Sequence, residues 1–388
     1  RNLSDPMYET PSVSIAGTLG KPRIVVLSRR SNIFGYKGIL GLVQAGYSPS
    51  LVIVPPPTGT FDSADFFFTA SATRLVDSLR NSLLRRSSLG FHGSIRRLCD
   101  GLAIPYVTQR TGSQADLARI LRREKPDLLL ILGGWPELLS KEVLCTPRVT
   151  TVNLHPSLLP AFRGGDIHRW QVYHGVEKIG FSFHHVNEKF DAGEVILQEE
   201  EIASPDILPQ ELSRKLALSA STRVAEVVTK SLSPTPPTQT PTLRTSSFDR
   251  YFPKWDWRDH AFFELDFSYS ARHIYNQVRS CAQESWRYPG FFGRLGKLPL
   301  IIRRCEIRDV NESAQVAKPG ILAFDESSQD FLLKCGSNLQ LICLLTVQIG
   351  GRGGSPQVPR KIPPISLRSF VGRNIMKSIV TGRGNCFG

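Results

Sequence analysis

The stretch T-V-N-L-H-P-S-L-L-P-A-F-R-G-G-D, residues 151–166, decides how the chain is read. It opens as a strand, Thr150 to Leu154, and then sets Asn153, His155 and Arg163 around the apolar run Leu158-Leu159-Pro160. Connecting segments are ordinarily polar, so an apolar stretch carrying such side chains reads as a strand end feeding a reaction centre. Asn153 and His155 are two residues apart on extended backbone, which puts both side chains on one face.

Outward from this stretch the N-terminal half alternates. R-I-V-V-L-S at 23–28, L-V-I-V at 51–54 and D-L-L-L-I-L at 127–132 are short continuous apolar runs, as expected of strands buried on both faces. Helices are expected over 35–46, ending at a glycine, and over 115–124; the Arg-rich stretch 65–98 is mostly helical in pattern. Strands over 180–186 and 194–199 flank a loop at 187–193, and a helix covers 210–230. The alternation predicts an α/β fold whose N-terminal part is a doubly wound, mostly parallel, Rossmann-like sheet. Four prolines within residues 233–242 mark a spacer. Beyond it, a helix over 268–281 and short strands at 298–303, 320–324, 331–335 and 339–345 predict a small OB-like β-barrel. The expected organisation is an N-terminal extension over 1–21, a catalytic domain over 22–230, a linker over 231–258, the barrel over 259–348 and a basic segment over 349–388.

The formal net charge of +14, from 48 Lys and Arg against 34 Asp and Glu, favours anionic partners, nucleic acid foremost. Residues 349–388 hold Arg352, Arg360, Lys361, Arg368, Arg373, Lys377 and Arg383 and no acidic residue. A single surface charge is ordinary; an acid-free run of this length reads as an electrostatic arm. Seven cysteines lie far apart with no C-x-x-C pair, so neither a disulfide framework nor a zinc site is indicated, and a reducing compartment fits. No apolar run reaches the roughly 20 residues that span a bilayer. A chain beginning at Arg1 fits removal of a targeting segment, hence a mitochondrial location, and a monomer without membrane contact is expected.

N-L-H-P-S-L-L-P-A-F-R-G at 153–164, followed by F-D-A-G at 190–193, resembles the folate-dependent formyltransferase family, and within it the methionyl-tRNA formyltransferases. The likeness continues through T-P-T-L-R-T-S-S-F-D-R-Y-F-P-K-W at 240–255, Y-P-G-F-F at 288–292 and P-G-I-L at 319–322. It implies 10-formyltetrahydrofolate as formyl donor, no metal, and tRNA, another RNA or the ribosome as partner. It places Asn153, His155 and Asp191 in the family's catalytic positions, and Ser157, Leu158, Leu159 and Pro160 in its folate-contacting turn. Gly134, Trp135 and the V-N-E-K stretch at 186–189 are expected to complete that wall. Arg85, Arg86, Arg96, Arg97, Arg163, Arg360, Lys361 and Arg373 are the expected RNA contacts.

The chemistry suits these residue types. Formyl transfer to an amine passes through a tetrahedral oxyanion, which needs donors aimed at the oxygen and a group to manage the amine proton. Asn153 offers a neutral N–H, protonated His155 a charge-assisted one, and Asp191 a carboxylate that orients the histidine and accepts the leaving proton through water. An asparagine, histidine or aspartate alone is commonplace; the joint spacing about Ser-Leu-Leu-Pro is the specific signal. His168, His174, His184 and His185 read as structural, and the adjacent pair, facing opposite ways on a strand, cannot share a metal. Arg163-Gly164-Gly165-Asp166-Ile167 replaces the family's Arg-Gly-x-x-Pro, His168-Arg169-Trp170 is unusual, and Pro55-Pro56-Pro57 stands for Gln-Pro-Asp. These departures keep two other readings open: an amino-sugar-nucleotide N-formyltransferase, and a catalytically inactive, ribosome-associated RNA-binding protein on the same scaffold.

Overall fold

The computed structural model describes residues 21–56, 94–109, 113–233, 246–256, 259–282, 290–295, 298–309, 318–325, 328–336, 340–349, 365–367, 369, 372 and 376. The expected N-terminal extension, the Arg-rich stretch up to residue 93, the proline-rich spacer and most of the basic C-terminal segment lie outside the described residues.

Five strands run parallel: β1 (Ile24–Leu27), β2 (Leu51–Val54), β3 (Tyr106–Thr108), β4 (Leu128–Ile131) and β5 (Thr150–His155). β7 (Lys178–His185) and β8 (Val195–Ile202) continue the sheet antiparallel, in the order β3-β2-β1-β4-β5-β7-β8. The apolar runs of β1, β2 and β4 are buried throughout, as both faces are covered by helices. The chain winds from β1 outward to β2 and β3 and then crosses back to β4 on the other side of β1, so a crevice opens between the carboxyl ends of β1 and β4.

α1 (Ile33–Gln44) starts two residues before the sequence expectation because Asn32 caps it, its Oδ1 accepting from Phe34 N at 2.8 Å and Gly35 N at 3.4 Å. It packs on α6 (Pro209–Leu232), whose Leu212, Leu216, Ala220, Val224 and Val227 recur at helical spacing and face the sheet. At Gly41 the two helices approach so closely that a Cβ would strike the Ser221 carbonyl. α3 (Gln114–Glu124) and α4 (Lys141–Leu144) cover the other face with Leu117, Leu121 and Val143. α2 (Ile95–Gly101) and α5 (Ile167–His174) complete this part. β3 and α4, of three and four residues, are too short for a periodicity to announce them.

The second sheet is an antiparallel half-barrel. β10 (Phe292–Leu295), β11 (Leu298–Asp309), β14 (Gln340–Ile349), β13 (Asp330–Lys334) and β12 (Leu322–Asp325) follow in that order, with β15 (Ile365–Ser366) on β14. A bulge near Arg304 bends the long β11–β14 pair. α7 (His260–Phe263) and α8 (Ala271–Ser280) pack on it around Phe263, Ile274, Phe291 and Phe331.

The segment before α7 is no free spacer. β9 (Tyr251–Phe252) pairs in parallel with β6 (Arg163–Gly164), Phe162 N donates to Phe248 O at 3.0 Å, and Gly165 N donates to Phe252 O at 2.9 Å. Gly164 has φ of 115°, and a Cβ there would meet the Phe252 carbonyl. Arg169, 7% exposed, donates to Ser280 O at 3.1 Å, and Trp170 Nε1 donates to Pro253 O at 2.8 Å. Trp170, Tyr173, Trp255 and Phe262 pack around that bond, with Trp170 edge to face on Tyr173 and Trp255, and Trp255 edge to face on Phe262. Among the described residues no helix is long and apolar enough to cross a membrane.

Candidate active site

Asn153 and His155 end β5 on one face, and the antiparallel register sets His184 of β7 opposite Asn153. The β7–β8 loop then returns Asp191, at φ of 48°, to the same point. Asp191 Oδ1 accepts from Asn153 Nδ2 at 3.2 Å and lies 3.3 Å from His155 Nδ1, while Oδ2 accepts from Gly164 N at 3.0 Å. The three residues singled out in the sequence therefore converge on one carboxylate.

His184 is a fourth member, not the purely structural residue the sequence suggests. Its Nε2 is 3.0 Å from Asn153 Nδ2 and 3.6 Å from Asp191 Oδ1. Nδ1 donates to the His185 carbonyl at 2.8 Å, which leaves Nε2 to accept from Asn153. Only the strand pairing discloses this neighbour.

His155 is buried with both ring nitrogens against acceptors: Nδ1 toward Asp191, and Nε2 2.8 Å from the Phe162 carbonyl. Burial disfavours its charge, but the Asp191 carboxylate and the two hydrogen bonds outweigh that and raise its pKa above the ordinary value. Burial likewise opposes ionisation of Asp191, and the charge and hydrogen bond of His155 hold its carboxyl well below the usual carboxylate range. Both shifts, and the two acceptors that face the ring nitrogens, favour imidazolium paired with carboxylate. One expectation is corrected: no N–H of His155 is left for an oxyanion, because Phe162, at φ of 56° and held by Phe248, turns its carbonyl onto Nε2. An oxyanion reaching Nε2 would have to displace that carbonyl.

A cleft of about 1000 Å³ opens in front of this cluster. One wall is largely apolar, with Ile131, Gly134, Trp135, Leu139 and Val186; the other carries Arg29, Asn32, Asp166, His168 and Lys254. Gly134 and Trp135 line it, as do Val186 and Lys189 of the V-N-E-K stretch. Ser157, Leu158, Leu159 and Pro160 do not, which corrects their assignment to a ligand wall. Ser157 Oγ donates to Ala161 O at 2.7 Å, Leu159 N donates to Ser182 Oγ at 3.1 Å, and Gln198 Nε2 donates to Leu159 O at 2.9 Å. Leu158 packs over Gly180. The turn is bolted onto β7 and β8, where it positions Phe162 behind His155; its apolar side chains face the protein rather than a ligand.

His168 also departs from its structural reading by lining the cleft. Burial, and then Arg169, push it down to about 4, so it is neutral at physiological pH. His174 sits among Phe162, Trp170 and Phe248, and His185 lies 2.8 Å from Thr150 Oγ1, both structural as read. The unusual Gly165-Asp166 and Arg169-Trp170 have a visible reason: Asp166 Oδ2 accepts from Trp255 N at 3.0 Å, and Arg169 and Trp170 anchor the second sheet. Of the expected RNA contacts, Arg96 and Arg97 are exposed on α2, close to the loop after β1 through Ile95 N donating to Arg30 O, and Arg163 is half-buried on β6. Arg85, Arg86, Arg360, Lys361 and Arg373 lie outside the described residues. Among the described residues no cluster of three or more His, Cys, Asp or Glu is arranged to hold a metal ion.

Residues 88–228, which hold Asn153, His155 and Asp191 beside the switch-point cleft, match the model of the formyl transferase family. The chain is 25% identical over 205 residues to the methionyl-tRNA formyltransferase of Protochlamydia amoebophila, covering 53% of this chain and 61% of that one. It is 36% identical over 87 residues to the methionyl-tRNA formyltransferase of Syntrophus aciditrophicus, covering 22% and 28%. The matched region thus spans less than two thirds of either relative. Among solved structures, WlaRD, a sugar 3N-formyl transferase crystallised in the presence of dTDP and 5-N-formyl-THF, superposes with a TM-score of 0.56 at 14% identity over 84% of this chain and 98% of its own. That likeness establishes the fold.

Proposed function

We propose that the protein transfers a formyl group from 10-formyltetrahydrofolate to the amino group of methionyl-tRNA. The observation that carries the reading is the buried His155–Asp191 ion pair, with Asn153 donating to the same carboxylate, in a cleft with one apolar wall. The names of the relatives and the net charge of +14 support the choice of acceptor.

The residues present fit a folate. Ile131, Leu139 and Val186 supply an apolar wall, Gly134 keeps it free of a side chain, and the buried Trp135 Nε1 has no hydrogen-bond partner among the described residues. Bound there, the folate supplies an electrophilic formyl carbon. The chain's own groups do the rest. His155 is a fixed positive charge where negative charge develops, and it needs no reorganisation when it does. Asp191 keeps it protonated, Asn153 and Gly164 hold Asp191 in place, and neutral His168 lines the cleft as a hydrogen-bonding group.

The test is to incubate the protein with labelled formyl donor and methionyl-tRNA beside an Asp191→Asn control, at low and high salt. Label should pass to the tRNA, with binding that weakens steeply as salt rises because neutralised phosphates release counterions. Label passing instead to an amino-sugar nucleotide, insensitive to salt, would establish the second reading, which the nearly full-length superposition on a sugar formyltransferase favours. Salt-sensitive RNA binding without any transfer would establish an inactive RNA-binding protein.

A further inference from the structure

Two aromatic rings stand exposed on the rim of the cleft. Phe190 and Tyr251 are 47% and 52% exposed, and their centroids lie 6.4 Å apart at 43°. Both line the cleft. They reach it from separate segments: Phe190 immediately precedes Asp191 on the β7–β8 loop, and Tyr251 is delivered by the pairing of β9 with β6. Exposed cations flank both, Lys189 beside Phe190, and Arg250 and Lys254 around Tyr251; Arg250 lies 4.8 Å over the Phe252 ring. The mouth of the site therefore alternates π-faces and positive charge. An unpaired nucleic-acid strand calls for that combination, bases stacking on rings while cations track the phosphates; a duplex keeps its bases stacked internally.

We infer that Phe190 and Tyr251 form a stacking site for a base of an unpaired RNA terminus, with Lys189, Arg250 and Lys254 taking the adjoining phosphates. The inference rests on the proposed acceptor and deepens it. An aminoacyl ester hangs from the terminal ribose, so an amine placed beside His155 leaves the neighbouring base at the mouth. Tyr251 is held there by backbone pairing rather than by a flexible loop, with its ring edge against Gly164. A base with attached phosphate is also found in a nucleotide sugar, and the experiment separates the two sources.

The full chain is titrated with a labelled single-stranded RNA of about four nucleotides, with the same strand annealed to its complement, and with dTDP. Tyr251→Ala and Phe190→Ala are each expected to weaken the single strand by about tenfold, Tyr251→Phe to retain it, and duplex binding to stay at its wild-type value. Single-strand affinity unchanged in both alanine variants would overturn the site. So would equal losses for strand and duplex, or a loss confined to dTDP. The assay does not depend on turnover: aromatic-dependent strand binding without formyl transfer would sink the proposed function alone, and formyl transfer with aromatic-independent binding would sink the stacking site alone.

Discussion

Nδ1 of His155 faces Oδ1 of Asp191 at 3.3 Å inside the protein, and the arrangement of the whole cleft floor follows from that pair. Each partner favours the ionised form of the other, while Asn153 and Gly164 donate to the carboxylate and the Phe162 carbonyl faces the second ring nitrogen.

Removing the charge from Asp191 should therefore undo the imidazolium. In Asp191→Asn, burial is no longer opposed by an anion and the His155 pKa should fall below its ordinary value. Formyl transfer should drop by roughly 10²–10⁴ in kcat, the range of a lost acid–base partnership. An imidazole NMR titration and steady-state kinetics read the two effects; an unchanged kcat would detach the pair from the chemistry.

The pair also ties stability to pH, with a definite sign. The folded pKa of His155 lies above its unfolded value near 6.5, so its contribution is complete below about pH 6.5 and is lost as pH rises through the folded value. Asp191 is the mirror case: its contribution is complete above about pH 3.9 and is lost as pH falls through the depressed folded value. The margin in thermal stability of the wild type over His155→Asn should be widest in the mildly acidic range and narrow toward alkaline pH. A margin that widens on the alkaline side would show that the ring is neutral in the folded protein.

His184→Phe should separate positioning from binding. It leaves one N–H of the half-buried Asn153 carboxamide without its acceptor, a cost of about 1 kcal/mol. The variant should lose kcat while KM for the folate stays put, since His184 stands beside Asn153 and not on the apolar wall. Proportional rises in KM for the folate would contradict this placement.

Gly41→Ala tests the close approach of α1 to α6. Alanine favours a helix over glycine by about 0.5–1 kcal/mol, yet here its Cβ meets the rigid Ser221 carbonyl and forces α1 away from α6. The net result should be destabilisation of about 1–3 kcal/mol, seen as a lower denaturation midpoint. A gain in stability would mean that the helices separate without cost.

The strands at Ile24–Leu27, Leu51–Val54 and Leu128–Ile131 were legible in advance because burial on both faces leaves a continuous apolar run. Asn153 and His155 were legible as a pair because two residues along a strand share a face. The antiparallel turn of β7 against β5 was not, and with it went the place of His184. The docking of Ser157 to Pro160 onto β7 and β8 and the turn of the Phe162 carbonyl onto His155 were equally hidden, as both depend on segments distant in the chain, β7, β8 and the stretch around Phe248.

Residue order by itself determined which side chains could do chemistry here and which strands would be buried, since both follow from local alternation along the backbone. Tertiary structure alone decided which of those side chains meet, which proton each ring nitrogen carries and which wall faces the cleft. A hydrogen bond depends on atoms brought within about 3 Å, and only the pairing of strands and the docking of the segment before the second sheet bring them there.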